Sequence, residues 1–176
     1  MTPNFTHETG EVAGRFHRET EWYVASHAGL VHVLRVHANS ERTVELFHRF
    51  SAHLDPLVDV CLAHRRDGRS WQRGLCVLTD VRDAVGRLRW PLASHGGVEL
   101  TLYSADDQLT LMPSLELVIY SRRDDWRARL DVEGLHSRAS APPATWRMTD
   151  GPWPDAPELG VALSALVQRL SLEPGS

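Results

Sequence analysis

A two-residue alternation of aliphatic side chains between residues 98 and 119 is the feature that most constrains how this chain can fold. Successive side chains of a strand point to opposite faces of a sheet, so this period predicts strands rather than helices. The short polar breaks ADD, PS and RRDD separate the segments VELTLYS, QLTLM, SLELVIYS and WRARLDV. The pattern therefore predicts an antiparallel meander of four strands. The aliphatic positions that share its inward phase are Leu100, Leu102, Leu109, Leu111, Leu115, Leu117 and Ile119.

The segments on either side of the meander predict further strands and helices. The β-branched and aromatic run WYVASHAGLVHVLRVHA predicts one strand that is covered on both faces, and SWQRGLCVLTD predicts a second strand. Between them an apolar stripe at alternating three- and four-residue spacing predicts a helix, kinked or divided at Pro56. The stripe consists of Phe47, Phe50, Leu54, Leu57 and Cys61. A shorter helix with Val85 and Leu88 on one side precedes the meander, and a leucine-striped helix is predicted at residues 157–172.

This order of elements predicts an α+β fold. The sheet is expected to be mixed and mainly antiparallel, with a βαβ-like start followed by the four-stranded meander and two or three packed helices. A chain of 176 residues has the length of one domain. We expect that domain at residues 21–176, with a loose polar segment at 1–20 and an arm rich in proline and tryptophan at 139–157.

Composition indicates the surroundings in which such a chain works. The net charge of −4 disfavours a general nucleic-acid binder, and no stretch reaches the roughly 18 apolar residues of a membrane span. The chain has two cysteines and no apolar leader, which favours a reducing cytoplasm and predicts two free, buried thiols. All nineteen basic residues are arginine, as is typical of a GC-rich bacterial genome.

The histidine spacing predicts no metal site and no metal cofactor. Five histidines lie between residues 27 and 53, at spacings of five, five, eleven and five residues: His27, His32, His37, His48 and His53. Residues five apart point to opposite faces of a single strand, and they lie about 140° apart around a helix. The chain also lacks HExxH and the paired-cysteine spacing of zinc sites. We therefore expect these side chains not to converge.

No common catalytic or nucleotide-binding motif is present. G-x-S-x-G and G-x-G-x-x-G are absent, and a chain without lysine cannot form a P-loop. Arginines are concentrated near the second strand, where Arg65, Arg66, Arg69 and Arg73 could bind an anion. This concentration leaves one alternative open, a small enzyme or binder that acts on a phosphate-bearing or nucleic-acid ligand through a pocket lined by arginine and a histidine such as His95.

The outward phase of the meander indicates a binding surface. Its mixture of tyrosine, threonine, methionine and valine is too apolar for a solvated face and too polar for a core. The residues predicted to contact a partner are Tyr103, Tyr120 and Met112, together with Trp146 and Trp153 of the arm. The alternative is that the arm packs on its own domain. The sequence favours a non-catalytic module that binds another protein, in a hetero- or homo-oligomer, as an adaptor, chaperone, immunity-type inhibitor or assembly subunit.

Overall fold

A computed structural model describes residues 21–140 and 156–175. Among these residues it contains one sheet of nine strands and four α-helices. The strands are β1 (Trp22–Ala28), β2 (Val31–His37), β3 (Leu57–His64), β4 (Arg69–Val77), β5 (Val98–Tyr103), β6 (Asp107–Leu111), β7 (Leu117–Ser121), β8 (His136–Arg138) and β9 (Glu173–Pro174). The helices are α1 (Ser40–Phe50), α2 (Leu78–His95), α3 (Trp126–Val132) and α4 (Pro157–Leu170), and a 3-10 turn (Ser51–His53) follows α1.

The sheet is mixed and mainly antiparallel, which confirms the predicted α+β class. Its strand order is β8-β1-β2-β7-β6-β5-β3-β4-β9, and only β8 pairs in parallel with its neighbour, β1. The two outermost strands, β8 and β9, have three and two residues, so each covers only part of an edge. None of the described helices is long and apolar enough to cross a membrane.

The prediction of one strand across residues 22–38 is wrong, because the chain turns back on itself at Gly29 and Leu30. These residues form a two-residue loop between β1 and β2, with Gly29 at a φ of 63°. Glycine at the first loop position suits the type II′ turn that matches the twist of a hairpin. His27 consequently lies opposite His32, with ring centroids 4.6 Å apart. The expectation that these two histidines point to opposite faces is therefore also wrong.

The predicted long helix is wrong beyond Phe50, and the chain does not continue as a helix past Pro56. It enters β3, in which the buried side chains Val58, Val60 and Leu62 recur every second residue. Two of these residues are β-branched, and β3 pairs with β4 on one side and β5 on the other. This cross-strand pairing outweighs the helical spacing that continues from α1.

The fourth strand of the predicted meander is wrong, because WRARLDV forms α3. Its two buried side chains, Trp126 and Leu130, are four residues apart and share one face of a helix. Arg129 donates hydrogen bonds to Asp125 one turn earlier, at 2.6 and 3.1 Å. The meander therefore has three strands, β5, β6 and β7.

All four described helices pack against the same face of the sheet. The seven meander residues predicted to point inward are buried beneath them, each at most 2% exposed. α1 contacts β6 and β7, and α2 packs between α1 and α4. The predicted leucine stripe of α4 is also confirmed, since Leu159, Leu163, Leu166 and Leu170 are all buried. The other face carries no described helix.

The buried carboxylate of Asp107 joins β6, the end of β7 and α3. Its Oδ1 accepts hydrogen bonds from the Ser121 hydroxyl at 2.5 Å and from Trp126 Nε1 at 2.7 Å. Its Oδ2 accepts a hydrogen bond from Arg123 Nη1 at 3.1 Å. Arg123 also binds Asp125, and this hydrogen bond holds the pKa of Asp125 down to about 2. Every oxygen of the buried carboxylate is therefore satisfied.

Replacing Leu163 with alanine should remove buried area between α4 and the rest of the core. Its side chain is 2% exposed, so we expect a loss of about 2–5 kcal/mol in the free energy of unfolding, measured by urea denaturation. Val161→Ala is the matched control, because Val161 lies on the same helix at 72% exposure. Equal effects of the two substitutions would contradict the assignment of α4 to the core.

Replacing Asp107 with asparagine should destabilise the fold by about 2–4 kcal/mol, because an amide would turn a donor toward Trp126 or Arg123 and leave a buried polar group unpaired. The neighbouring Asp106 is exposed, and Asp106→Asn should change the free energy of unfolding by less than about 0.5 kcal/mol. Chemical denaturation of both variants checks this. A stable Asp107→Asn variant would show that the carboxylate is not needed to hold α3.

Candidate functional site

The sheet face that no described helix covers, here called the helix-free face, carries both tyrosines that the sequence predicts at a partner surface. Tyr103 of β5 lies opposite Gln108 of β6, which in turn lies opposite Tyr120 of β7. Neighbouring strands are about 4.8 Å apart, so the two tyrosines flank Gln108 at a separation of about 10 Å. Tyr103 is 39% exposed and Tyr120 is half-buried. The register of three strands thus brings together residues that are 17 positions apart in the chain.

The other predicted partner-binding residues are not part of this row. Met112 has the same phase as Gln108 and is half-buried, but it lies at the turn after β6, where its backbone N–H donates to Glu116 O at 2.8 Å. Trp146 and Trp153 lie outside the described residues.

The centre of the helix-free face is a closed polar ladder. The hydroxyls of Thr101 and Thr110 are 3.2 Å apart, and Gln108 Nε2 donates to Thr110 Oγ1 at 3.0 Å. Both threonines are buried, as is Val118 on the next strand. Both threonine hydroxyls and the Gln108 amide nitrogen are thus bound within the ladder, which reduces the hydrogen-bonding capacity that this part of the face offers a partner.

A groove lies beside the ladder, where β3 carries short side chains between the longer side chains of β4 and β5. Cys61 and Ala63 are half-buried, and Tyr103 lines the groove on the β5 side. Its volume is about 150 Å³. The residues that line it are Cys61, Leu62, Ala63, Ser70, Trp71, Gln72, Glu99, Thr101, Tyr103 and Gly175. The predicted place of Cys61 on a helical stripe is wrong, because Cys61 is a strand residue whose side chain lies in this groove.

The electrostatic environment of the groove is acidic. Asp59, Glu99 and Glu173 lie on the strands that form it, and among them Glu99 forms a salt bridge with Arg65 at 3.0 Å. Burial raises the pKa of the Cys61 thiol, and the negative charges of Asp59 and Glu99 raise it further. Burial also raises the pKa of Tyr103, and Cys61 and Glu99 add to it. Both groups therefore carry their protons at neutral pH.

The four arginines predicted to bind an anion have separate neighbours. Arg65 binds Glu99 at 3.0 Å, and Arg69 binds Asp67 at 2.5 Å while its guanidinium lies 5.3 Å from the centre of the Trp71 ring. Arg73 Nη1 donates to a backbone carbonyl at the end of α4, at 2.6 Å. Arg66 lines a cavity beside His95.

This small cavity brings together two histidines that the sequence places 31 residues apart. Its lining includes His64, His95 and Arg66, with Gly96 and Gly97 at positive φ on one side. Each imidazole is bound to a carboxylate: His64 Nδ1 to Asp67 at 3.1 Å, and His95 Nε2 to Glu158 at 2.7 Å. The volume is about 10 Å³, which is room for one water molecule.

The described residues do not bring together enough ligating side chains to bind a metal ion. Within residues 21–140 and 156–175 no group of three or more histidine, cysteine, aspartate or glutamate side chains could hold a metal ion. His27 and His32 face each other as a pair on the β1–β2 hairpin, without a third such ligand among the described residues.

The fold and the site together define an α+β protein whose sheet is packed with helices on one face and carries an acidic groove on the other. No protein-family model, curated protein or solved structure matches the chain. The groove itself was missed from the sequence because its floor was interpreted as helix. The alternation of Val58, Val60 and Leu62 directly after Pro56 is the signal that could have revealed it.

Both thiols should react slowly with alkylating reagents in native buffer, Cys61 because its raised pKa suppresses the thiolate and Cys76 because it is buried. Replacing Glu99 with glutamine removes one of the charges that raise the pKa of Cys61, so labelling of Cys61 should become faster. Mass spectrometry of alkylated peptides at several pH values measures this. Glu41→Gln, at an exposed position of α1, should change nothing. Unchanged labelling in Glu99→Gln would contradict the acidic field.

Proposed function

We propose that this protein binds a segment of another protein on the helix-free face, with an apolar side chain of the partner in the groove beside Tyr103. The observation that carries the proposal is the groove itself. Short side chains on β3 leave about 150 Å³ next to a rigid, partly exposed aromatic ring, at the edge of a hydrogen-bonded polar ladder. An aromatic side chain beside a concave apolar floor is the arrangement in which a few contacts supply much of an interface's affinity.

The charge of the groove favours a partner with basic side chains. Glu99 lines the groove and already has Arg65, whereas Asp59 and Glu173 lie beside the groove and form no salt bridge with an arginine among the described residues. A surface of this sign attracts cationic segments and repels the phosphates of nucleic acid. The partner surface that fits is therefore a protein segment with an apolar residue next to an arginine or lysine.

A catalytic function is not what the geometry supports best. The cavity between His64 and His95 has a volume of about 10 Å³, which is far below the several hundred cubic ångströms of ordinary small-ligand sites. The contact between His95 and Glu158 joins the end of α2 to the start of α4. This contact favours a structural role for His95 over a catalytic one. The small volume of this cavity therefore favours a binding function over the alternative of a phosphate-bearing substrate beside His95.

A role as an adaptor, chaperone, inhibitor or assembly subunit in the cytoplasm of a bacterium completes the proposal. It is supported by two free cysteines and by basic residues that are all arginine. Tyr120 lies in the same cross-strand row as Tyr103, so a partner segment that crosses the strands would reach both rings.

Photo-crosslinking in the native cells tests the proposal directly. A benzophenone amino acid is placed at Tyr103, and a matched control places it at Val132, which is 87% exposed on α3 at the helix-covered side. We expect a discrete covalent adduct with one protein from position 103 and not from position 132. No adduct from position 103, or the same adducts from both positions, would contradict the proposal.

The affinity of the crosslinked partner then tests the role of the ring. Tyr103→Ala should weaken binding about 30-fold, which corresponds to the usual hot-spot threshold of about 2 kcal/mol. The free energy of unfolding should change much less, because the ring is partly exposed. Titration calorimetry and urea denaturation of the same variant separate the two effects. A destabilised variant that binds its partner normally would assign Tyr103 to the fold instead.

A further inference from the structure

A second cleft lies apart from the groove, between the end of β4, the first turn of α2 and the last turn of α4. Its volume is about 280 Å³. The residues that line it are Arg73, Leu75, Cys76, Val77, Asp80, Arg169 and Leu170. None of these residues belongs to the groove on the helix-free face, so the cleft is a separate site.

Leu75 is held at this cleft in a conformation that leucine rarely adopts. Its φ is 55°, in the left-handed region, and its side chain is 74% exposed. The backbone N–H of Leu75 donates to Asp59 Oδ1 at 2.8 Å, where the β3–β4 register shifts. A side chain at Gly74 would place its Cβ 3.2 Å from the same carboxylate oxygen. Asp59 and Gly74 thus impose a strained backbone that points an aliphatic side chain outward, and such strain is concentrated at functional sites.

The apolar surface extends beyond Leu75. Val77 lines the cleft at 48% exposure, and Leu57, its partner across the β3–β4 ladder, is 49% exposed. Leu170 and Cys76 complete the inner apolar wall and are buried. The cleft itself therefore has two exposed aliphatic lining residues, Leu75 and Val77, beside a partly apolar recess.

The cleft is also lined by two arginines whose guanidinium groups are held in place. Arg73 Nη1 donates to Leu170 O at 2.6 Å, so one of its five N–H donors is used and its guanidinium is anchored at the end of α4. Arg169 is held by Asp83, which also binds Arg87 at 3.5 Å. The one acidic residue of the lining, Asp80, lies in the first turn of α2, where the helix dipole offsets its charge.

We propose that this cleft binds an aliphatic carboxylate, with the carboxylate on Arg73 and the hydrocarbon on Leu75 and Val77. A forked guanidinium suits a carboxylate, and anchored side chains lose little entropy when they bind it. The volume lies just below the 300–1,000 Å³ typical of drug-sized ligands, so the ligand is short. The same chemistry is carried by a medium-chain fatty acid and by the C-terminal residue of a peptide that ends in leucine.

Titration of the protein with octanoate, followed by amide chemical shifts, tests the proposal. We expect shifts at Leu75, Val77 and Arg169, and binding at least about tenfold tighter than that of octanol or acetate, because neither of those probes has both the charge and the tail. Acetyl-Ala-Leu with a free carboxylate, compared with its C-terminal amide, identifies the peptide source. If only octanoate binds, the site is assigned to fatty acids. If only the free peptide binds, the site is assigned to peptide C-termini. If neither probe shifts these residues, the proposal is overturned.

Two substitutions separate binding from folding. Leu75→Asn removes the aliphatic side chain at a φ that asparagine tolerates better, so the fold should be retained while octanoate binding weakens about tenfold or more. Arg73→Gln removes the cation and should weaken octanoate but not octanol. Val161→Asn, on the exposed side of α4, is the matched control and should bind like the parent protein. Octanoate binding that survives both Leu75→Asn and Arg73→Gln would overturn the proposal.

Discussion

The course of the chain after the meander depends on the buried carboxylate of Asp107. It binds Ser121 at the end of β7 and Trp126 at the start of α3, so the chain turns back over the core instead of extending the meander. Asp131, also in α3, accepts a hydrogen bond from the Tyr23 hydroxyl of β1 at 3.0 Å. This return brings β8 beside β1, where it covers part of an edge of the sheet.

Because every described helix packs on one face of the sheet, the other face is left available for a binding groove. The helix-covered face is filled by aliphatic side chains that are almost completely buried. On the helix-free face, the threonine hydroxyls and the Gln108 amide nitrogen bind one another, and the side chains of Cys61 and Ala63 are too short to fill the space beside Tyr103. The groove is thus a consequence of residue size at two positions of one central strand, and its acidity comes from carboxylates on the strands around it.

Elements with a local pattern can be predicted from this sequence, whereas a segment whose conformation depends on distant partners cannot. The phase of the meander placed Tyr103 and Tyr120 on one face, and the register bears this out. The groove was not predicted from the sequence, because residues 57–61 continue the apolar stripe of α1 and also alternate like a strand. The two patterns coincide there, and pairing of β3 with both β4 and β5 decides between them. Gly29 was a local signal for the β1–β2 hairpin, but the uninterrupted apolar run around it concealed the turn.

The sequence by itself determined the α+β class, the three strands of the meander, their inward phase and the leucine-striped helix α4. Each of these follows from a short-range periodicity that is the same in the unfolded and the folded chain. The tertiary structure alone decided that β3 lies between β5 and β4, that Asp59 holds Leu75 in a left-handed conformation, and that Arg73 meets the end of α4. These contacts join residues between 16 and 97 positions apart. No local pattern encodes them, because they form only when the packing of the core brings distant segments together.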